Sequence, residues 1–371
     1  MKEFLLIVSL VFGVLLQVEA YTISGEVKDS LTNQPVEFAN IYIDGTTIGT
    51  ITGEDGQFEL TYDMDYSQIV ISHISYVSRI VNIDSKKEKR LSIRLIPKKI
   101  DIQQVTIEST NLRAANMDYF KKVFLGVDKW GKKAQILNDS VLYFDVQYAE
   151  KFFIPGKGPY EKFIATATEP LKILLPDLGY ELRYDLVTFR EQFNPEIRRN
   201  SIRIVGYSFF KELKINSERK EKKYLKNRKE AYNNSTMHFV RSMYENTLRM
   251  NGFLILETDT VSNPEGPEYK TFELSTCGCA DFMLNEAWLS GLKGKEYEIL
   301  YFYRGKKPLN LLLRKINLKD PRIKNSRCYI MKDICVIRKD GSLPGGEIIF
   351  DGDIINKRMG AALPLDIMFE N

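Results

Sequence analysis

The sequence predicts a mainly β protein of two domains, a seven-stranded β-sandwich followed by an α+β domain with antiparallel strands and one long helix. Three observations carry this reading. Short alternating runs separated by glycine turns fill the stretch from Gly25 to Leu60, and further runs complete a set of seven before Pro97. Beyond residue 110 the alternating segments lengthen and share the chain with stretches at helical spacing. The 371 residues exceed what one small sandwich occupies.

Residues 1–20 read as a secretory signal peptide. Lys2 precedes an apolar stretch from Phe4 to Leu16, and Val18-Glu19-Ala20 places small residues where a signal peptidase cuts, so the mature chain is predicted to begin at Tyr21. The apolar stretch falls short of the about 20 residues of a membrane-spanning helix, and no cysteine follows it to carry a lipid. The predicted product is exported, periplasmic or associated with the outer membrane, with no transmembrane helix in the mature chain.

The segment Gly25 to Leu60 organises the first domain, predicted over residues 21–110. Val36 to Ile43 alternates and is rich in β-branched and aromatic residues, and Asp44-Gly45 then supplies the positive φ of a tight turn. After Thr46 to Thr52, the run Gly53-Glu54-Asp55-Gly56 turns the chain again, and Phe58 and Leu60 point the same way from the next strand. Their predicted partner across the core is Phe38 or Ile41. Further strands are read at Ile69 to Ser72, Arg79 to Ile83 and Leu91 to Leu95, with Lys86 to Arg90 as a hairpin between the last two. Gln103 to Glu108 reads as one more strand or a connector.

Within this segment G-x-V-x-D, P-V-x-F-A-N-I-x-I, G-T-x-I-G-T-x-T and E-D-G-x-F-x-L stand in order. They resemble the carboxypeptidase-like regulatory domain, a family found behind peptidase domains and, in Bacteroidetes-type envelope proteins, ahead of outer-membrane transporters and many uncharacterised chains. The resemblance implies a prealbumin-like sandwich and names no catalytic residue. Ile69 to Tyr76 resembles a further family segment, with Ser75 where glycine is usual.

The second domain, predicted over residues 111–371, opens with a helix at Met117 to Leu125, where Tyr119, Phe120, Val123 and Phe124 fall at helical spacing. Antiparallel strands are predicted at Val141 to Tyr148, Tyr180 to Phe189 and Ile202 to Phe210. From Arg228 to Met250 an apolar stripe predicts one helix of about six turns, stopped by Asn251-Gly252. Strands follow at Phe272 to Ser275, Tyr297 to Tyr303, Tyr329 to Ile337 and Glu347 to Phe350. Phe124-Leu125-Gly126, Leu178-Gly179-Tyr180 and Leu363-Pro364 are among the marks by which this half resembles the C-terminal region of secreted Bacteroidetes-type proteins that begin with the regulatory domain. That resemblance implies no activity.

Lys and Arg total 53 against 49 acidic residues, too near balance for a nucleic-acid-binding surface over the whole protein. Residues 211–230 hold nine basic and four acidic residues, so the positive excess is local. Arg219 to Lys229 could steer an acidic glycan or lipid headgroup, but acidic residues are interleaved and a solvated helix face is the simpler reading.

Reactive constellations are sparse. A zinc carboxypeptidase uses two histidines and a glutamate on the metal, whereas this chain has only His73 and His238, neither at ligand spacing from a glutamate. Both read as packed or hydrogen-bonded. Cys277, Cys279, Cys328 and Cys335 read as disulfides of open pairing or structural thiols rather than a zinc set. GVDKWGKK, from Gly126 to Lys133, has the outline of a phosphate loop, but Lys133 replaces the magnesium-binding Ser or Thr and a helix precedes it. Asp63-Met64-Asp65 is a fragment of a calcium loop lacking its glycine and closing glutamate. No catalytic, cofactor-binding or metal residue is therefore assigned. The expectation is a non-enzymatic envelope protein with an interaction module, its partner another envelope protein or a glycan. The alternatives are a hydrolase with its site around His238 and a small outer-membrane β-barrel accessory.

Overall fold

The computed structural model describes residues 20–63, 66–83, 90–98, 110–148, 160–194, 199–259, 268–272, 285–302, 323–344 and 348–369. The chain divides into two units, Met1–Asp44 with Ile48–Lys99, and Gly45–Thr47 with Ile100–Asn371. The predicted signal peptide, except Ala20, and the segment Gln103 to Glu108 lie outside the described residues.

The first unit holds β1 (Tyr21–Asp29), β2 (Asn40–Tyr42), β3 (Gly49–Ile51), β4 (Gln57–Tyr62), β5 (Gln68–His73), β6 (Tyr76–Asn82) and β7 (Arg90–Leu95). They form two sheets, β4-β1-β7 and β3-β2-β5-β6, so the predicted seven-stranded sandwich is present. Alternation drives it: Ile23 and Val27 of β1 and Phe58 and Leu60 of β4 are buried against Ile41, Ile69 and Ile71 of the other sheet. Each such side chain contributes about 1.5–3 kcal/mol on burial. Gly25 sits under Phe58, where a Cβ would come within 2.8 Å of the ring and 2.5 Å of the Leu91 carbonyl. Gly56, at φ +72°, closes the second turn with its N–H donated to the Gly53 carbonyl at 2.9 Å.

One detail of the sandwich differs from expectation. β7 runs parallel to β1, from Ser24 opposite Arg90 to Asp29 opposite Leu95, whereas β6 pairs with β5 in the other sheet, and an isolated antiparallel bridge joins Tyr76 to Pro97 just beyond β7. The expected β6–β7 hairpin is thus a change of sheet, with residues 84–89 of its connection outside the described set. Of the two predicted core partners, Phe38 or Ile41, it is Ile41 that is buried, while Phe38 is 61% exposed.

The second unit begins with α1 (Thr110–Leu125) and then β8 (Gln135–Ile136), β9 (Leu142–Tyr148), β10 (Tyr160–Ala167), β11 (Leu171–Leu175), β12 (Tyr180–Asn194) and β13 (Arg199–Glu212). These strands make one antiparallel sheet, β8-β11-β12-β10-β9, with β13 along β12. Phe120 and Phe124 of α1 stack at 5.0 Å and pack on Phe189, while Phe163 of β10 joins the same cluster. The apolar face of the sheet is therefore covered by a helix.

Next come α2 (Glu218–Tyr232) and α3 (Thr236–Tyr244), followed by β14 (Phe253–Asp259), β15 (Glu268–Phe272), β16 (Glu286–Ser290), β17 (Glu296–Phe302), β18 (Ile323–Ile330), β19 (Ile334–Arg338) and β20 (Ile348–Gly352). The sheet β15-β14-β17-β18-β20 and the pair β16-β19 share a core with Phe239, Val240 and Met243 of α3. Three residues of the first hairpin loop belong to this unit: the Gly45 N–H donates to the Ser208 carbonyl at 2.8 Å, and the Leu365 N–H donates to the Gly45 carbonyl at 2.7 Å.

The predicted long helix is two helices. Asn234 adopts φ +57°, and Ser235 restarts the chain as an N-cap whose hydroxyl accepts from the His238 N–H at 3.1 Å. α3 ends at Tyr244, and Met250, assigned to the apolar stripe, is exposed. The single strand read at Tyr329 to Ile337 is likewise two strands, divided at Met331–Asp333 and placed in different sheets.

Candidate functional site

The strongest irregularity among the described residues of the sandwich lies where β2 begins. Phe38 has φ +55°, a region that a bulky L-residue enters at a cost of about 1–2 kcal/mol. The cause is one buried hydroxyl. Thr52 Oγ1 donates to the Val36 carbonyl at 2.6 Å and accepts the Ala39 N–H at 2.8 Å. The Phe38 N–H donates to the Thr52 carbonyl at 3.1 Å, and the Thr52 N–H to the Ala39 carbonyl at 2.9 Å. Every backbone group of the bulge that these bonds reach is satisfied, and the extra residue is pushed outward. Ile51, opposite Asn40 in the adjacent strand, is 55% exposed. An aromatic and a β-branched side chain thus stand in solvent at the β3 edge of the sandwich. That arrangement suits contact with another molecule; it offers no acid, base or nucleophile.

His238, the residue around which the hydrolase alternative places its site, is absorbed by the fold. Its ring lies 4.6 Å from Tyr232, 4.8 Å from Phe253 and 5.8 Å from Tyr301. Nδ1 accepts the N–H of Asn234, the residue before the Ser235 N-cap, at 3.2 Å. Burial, then the charges of Lys357 and Arg241, push its pKa down to about 3. The ring is neutral at pH 7, and the charges named beside it are cations.

Those cations also have structural work, which the sequence reading missed. Lys357 Nζ donates to the carbonyls of Glu230, Ala231 and Asn233 and so closes the C-terminus of α2; burial lowers its pKa to about 8. Arg241 donates to the carbonyls of Asp340, Leu365 and Ile367 at 2.8–3.0 Å. A basic residue near a helix end is the only local signal, and the receiving carbonyls are far away in sequence.

His73 ends β5, where its Nδ1 accepts the Ser75 N–H at 3.1 Å and its ring meets Tyr76. In the phosphate-loop outline, Asp128 Oδ1 already accepts the N–H groups of Trp130 and Gly131 at 3.0 and 2.7 Å, the kind of donor a phosphate would need. Cys328 and Cys335 are buried in the core of the second unit, and burial pushes the Cys328 thiol up to about 12. Cys277 and Cys279 lie outside the described residues, as do Met64 and Asp65 of the calcium-loop fragment. Among the described residues no group of three or more His, Cys, Asp or Glu side chains is placed to hold a metal ion. No helix among them is long and apolar enough to cross a membrane.

Two packed sheets of seven strands with an outward bulge define the first unit as a β-sandwich domain carried ahead of a larger α+β unit. Residues 23–107 match the model of the CarboxypepD_reg-like domain, and the chain carries that domain. The N-terminal region is also similar to the TonB-dependent receptor SusC of Bacteroides thetaiotaomicron, with 40% identity over 77 residues. That alignment covers 20% of this chain and 8% of the receptor, and it supports a CarboxypepD_reg-like protein of the Bacteroidetes.

Proposed function

We propose that this is an exported, non-enzymatic protein of the cell envelope whose CarboxypepD_reg-like domain is an interaction module, contacting an envelope protein or glycan through the edge that carries Phe38 and Ile51. The observation that carries the reading is the bulge at Phe38. A strained backbone that holds an aromatic side chain in water, with its own hydrogen bonds satisfied, is retained at a cost that packing does not explain. Similarity to a receptor of the TonB-dependent class supports an envelope setting. So does the start of β1 at Tyr21, the first residue after the predicted cleavage point.

The hydrolase alternative is disfavoured by the cage of rings and cations around His238, where a proton acceptor would need access to substrate. The barrel alternative is disfavoured by α1, which occupies the apolar face that a barrel would turn to lipid.

A photo-crosslinking residue placed at Ile51 in the native envelope tests the proposal. A discrete adduct that disappears with Phe38→Asn is the expected result. Absence of any adduct removes the interaction reading, and hydrolysis of peptides, esters or glycans by the purified chain removes the non-enzymatic one. Mass spectrometry of the same sample reads the mature N-terminus, expected at Tyr21.

A further inference from the structure

The basic run in the second unit gains a shape that the sequence alone does not have. α2 is anchored on one side by Tyr224, Arg228 and Ala231, all buried. Arg228 stacks over Tyr180 at 4.0 Å and donates to the Leu178 carbonyl at 2.8 Å and to Glu212. At 100° per residue, Arg219, Lys222, Lys226 and Lys229 then fall on the opposite face, rising about 4.5, 6 and 4.5 Å from one to the next. All four are exposed.

The three acidic residues of the helix, Glu218, Glu221 and Glu230, are outnumbered by its seven basic ones. Glu230 binds Lys129, and Asp177, from outside the helix, takes both Lys133 and Lys223. No ion pair or side-chain hydrogen bond engages the four outward cations among the described residues. The same pairs draw the Lys129 to Lys133 loop alongside, where Lys132 is exposed as well. Leu225, 53% exposed, adds an apolar side chain beside the cations.

From this geometry we infer that the outward face of α2 docks on anionic lipid headgroups at a membrane surface. A straight row of unpaired cations on a convex helix matches an extended sheet of negative charge better than one small anion, which needs donors converging on a point. Nucleic acid is a poorer match, because Tyr224, the aromatic residue within the run, is buried beneath the row rather than offered for stacking. The inference stands apart from the Phe38 edge, and Phe38→Asn is expected to leave it intact.

Co-sedimentation of the purified chain with vesicles tests it. Binding is expected to phosphatidylglycerol–phosphatidylcholine vesicles at low salt, with loss at high salt and none to phosphatidylcholine alone. Changing Arg219, Lys222, Lys226 and Lys229 together to Gln should weaken binding roughly a hundred- to a thousandfold, at about fivefold per cation near an anionic surface. Gln is a good helix former and these side chains bond to nothing, so the melting temperature should hold. A variant with Lys28, Lys162, Lys293 and Lys295 changed to Gln carries the same net charge and should bind normally. Equal loss in that variant would reduce the effect to bulk charge and overturn the site. Failure to bind anionic vesicles overturns it too, and binding of soluble polyphosphate without vesicles would assign the face to another polyanion.

Discussion

Phe38→Asn separates a residue kept for packing from one kept for contact. At 61% exposure, Phe38 retains roughly two-fifths of a phenylalanine's burial, worth about 1 kcal/mol of the roughly 1.5–3 kcal/mol for complete burial. Against that loss stands φ +55°, where Asn is tolerated far better than a bulky ring, which returns about 1 kcal/mol. The two effects offset, so urea unfolding of the variant should give a stability within about 1 kcal/mol of the parent at unchanged m-value. The same replacement at Phe58, buried in the core, should cost about 3–5 kcal/mol. Partner capture should meanwhile fall by about tenfold or more, the effect expected from truncating an aromatic anchor at an interface. A loss above about 2 kcal/mol in the Phe38 variant would make this residue part of the packing and sink the reasoning. Stability retained together with full partner capture would sink the interface.

Thr52→Val should cost about 1–3 kcal/mol, because the buried Val36 carbonyl and Ala39 N–H lose a shared partner, and denaturant titration reads it. His238 supplies an acid-side signature. Its pKa falls from 6.5 to about 3 on folding, so the stabilisation is present above pH 6.5 and is lost as pH drops toward 3, by up to roughly 5 kcal/mol. His238→Gln should cost about 1–3 kcal/mol at neutral pH and flatten that slope; an unchanged slope would assign it to other groups. Lys357 acts on the alkaline side: with a folded pKa near 8 against 10.5, the unfolded chain holds more protons between these values, so its contribution rises with pH there and is lost as pH falls to 8. Lys357→Met should remove that rise, measured between pH 8 and 9.5, before buried tyrosines such as Tyr297 begin to oppose it.

The readable parts of the fold are those whose cause is local. Gly45 and Gly56 announce turns, and the alternation of Phe58 with Leu60 places a core face because strand geometry repeats every two residues. Phe38 defeats that rule because its direction is set by the Thr52 hydroxyl, fourteen positions away in the chain. The helix break at Asn234 was legible in principle, since Asn-Asn-Ser is cap chemistry, but the apolar residues on both sides continue in helical phase and outweigh it. Parallel pairing of β7 with β1 leaves no local mark, because the strands come from opposite ends of the domain. Lys357 is harder still: its role exists only once the C-terminus of α2 lies beside it.

Chemistry in a folded chain needs polar groups whose bonding capacity is unspent, and the interior and exterior of this protein differ in that respect. His238 uses its Nδ1 lone pair on Asn234 and is too desolvated to take a proton near pH 7. Lys357 and Arg241 spend their donors on carbonyls, and Asp128 occupies amides in the one loop that resembles a phosphate cradle. The groups open to a partner include the exposed apolar side chains of Phe38 and Ile51 and the cationic row of α2. Each is bound to a backbone that holds it in place, the first by a buried hydroxyl and the second by the Arg228 stack. Preorganised outward groups lower the ordering entropy of association without supplying a reactive centre, so their signature is a change in partner or membrane affinity at constant stability. That is the behaviour Phe38→Asn and the four-Gln variant are built to read, each through its own ligand.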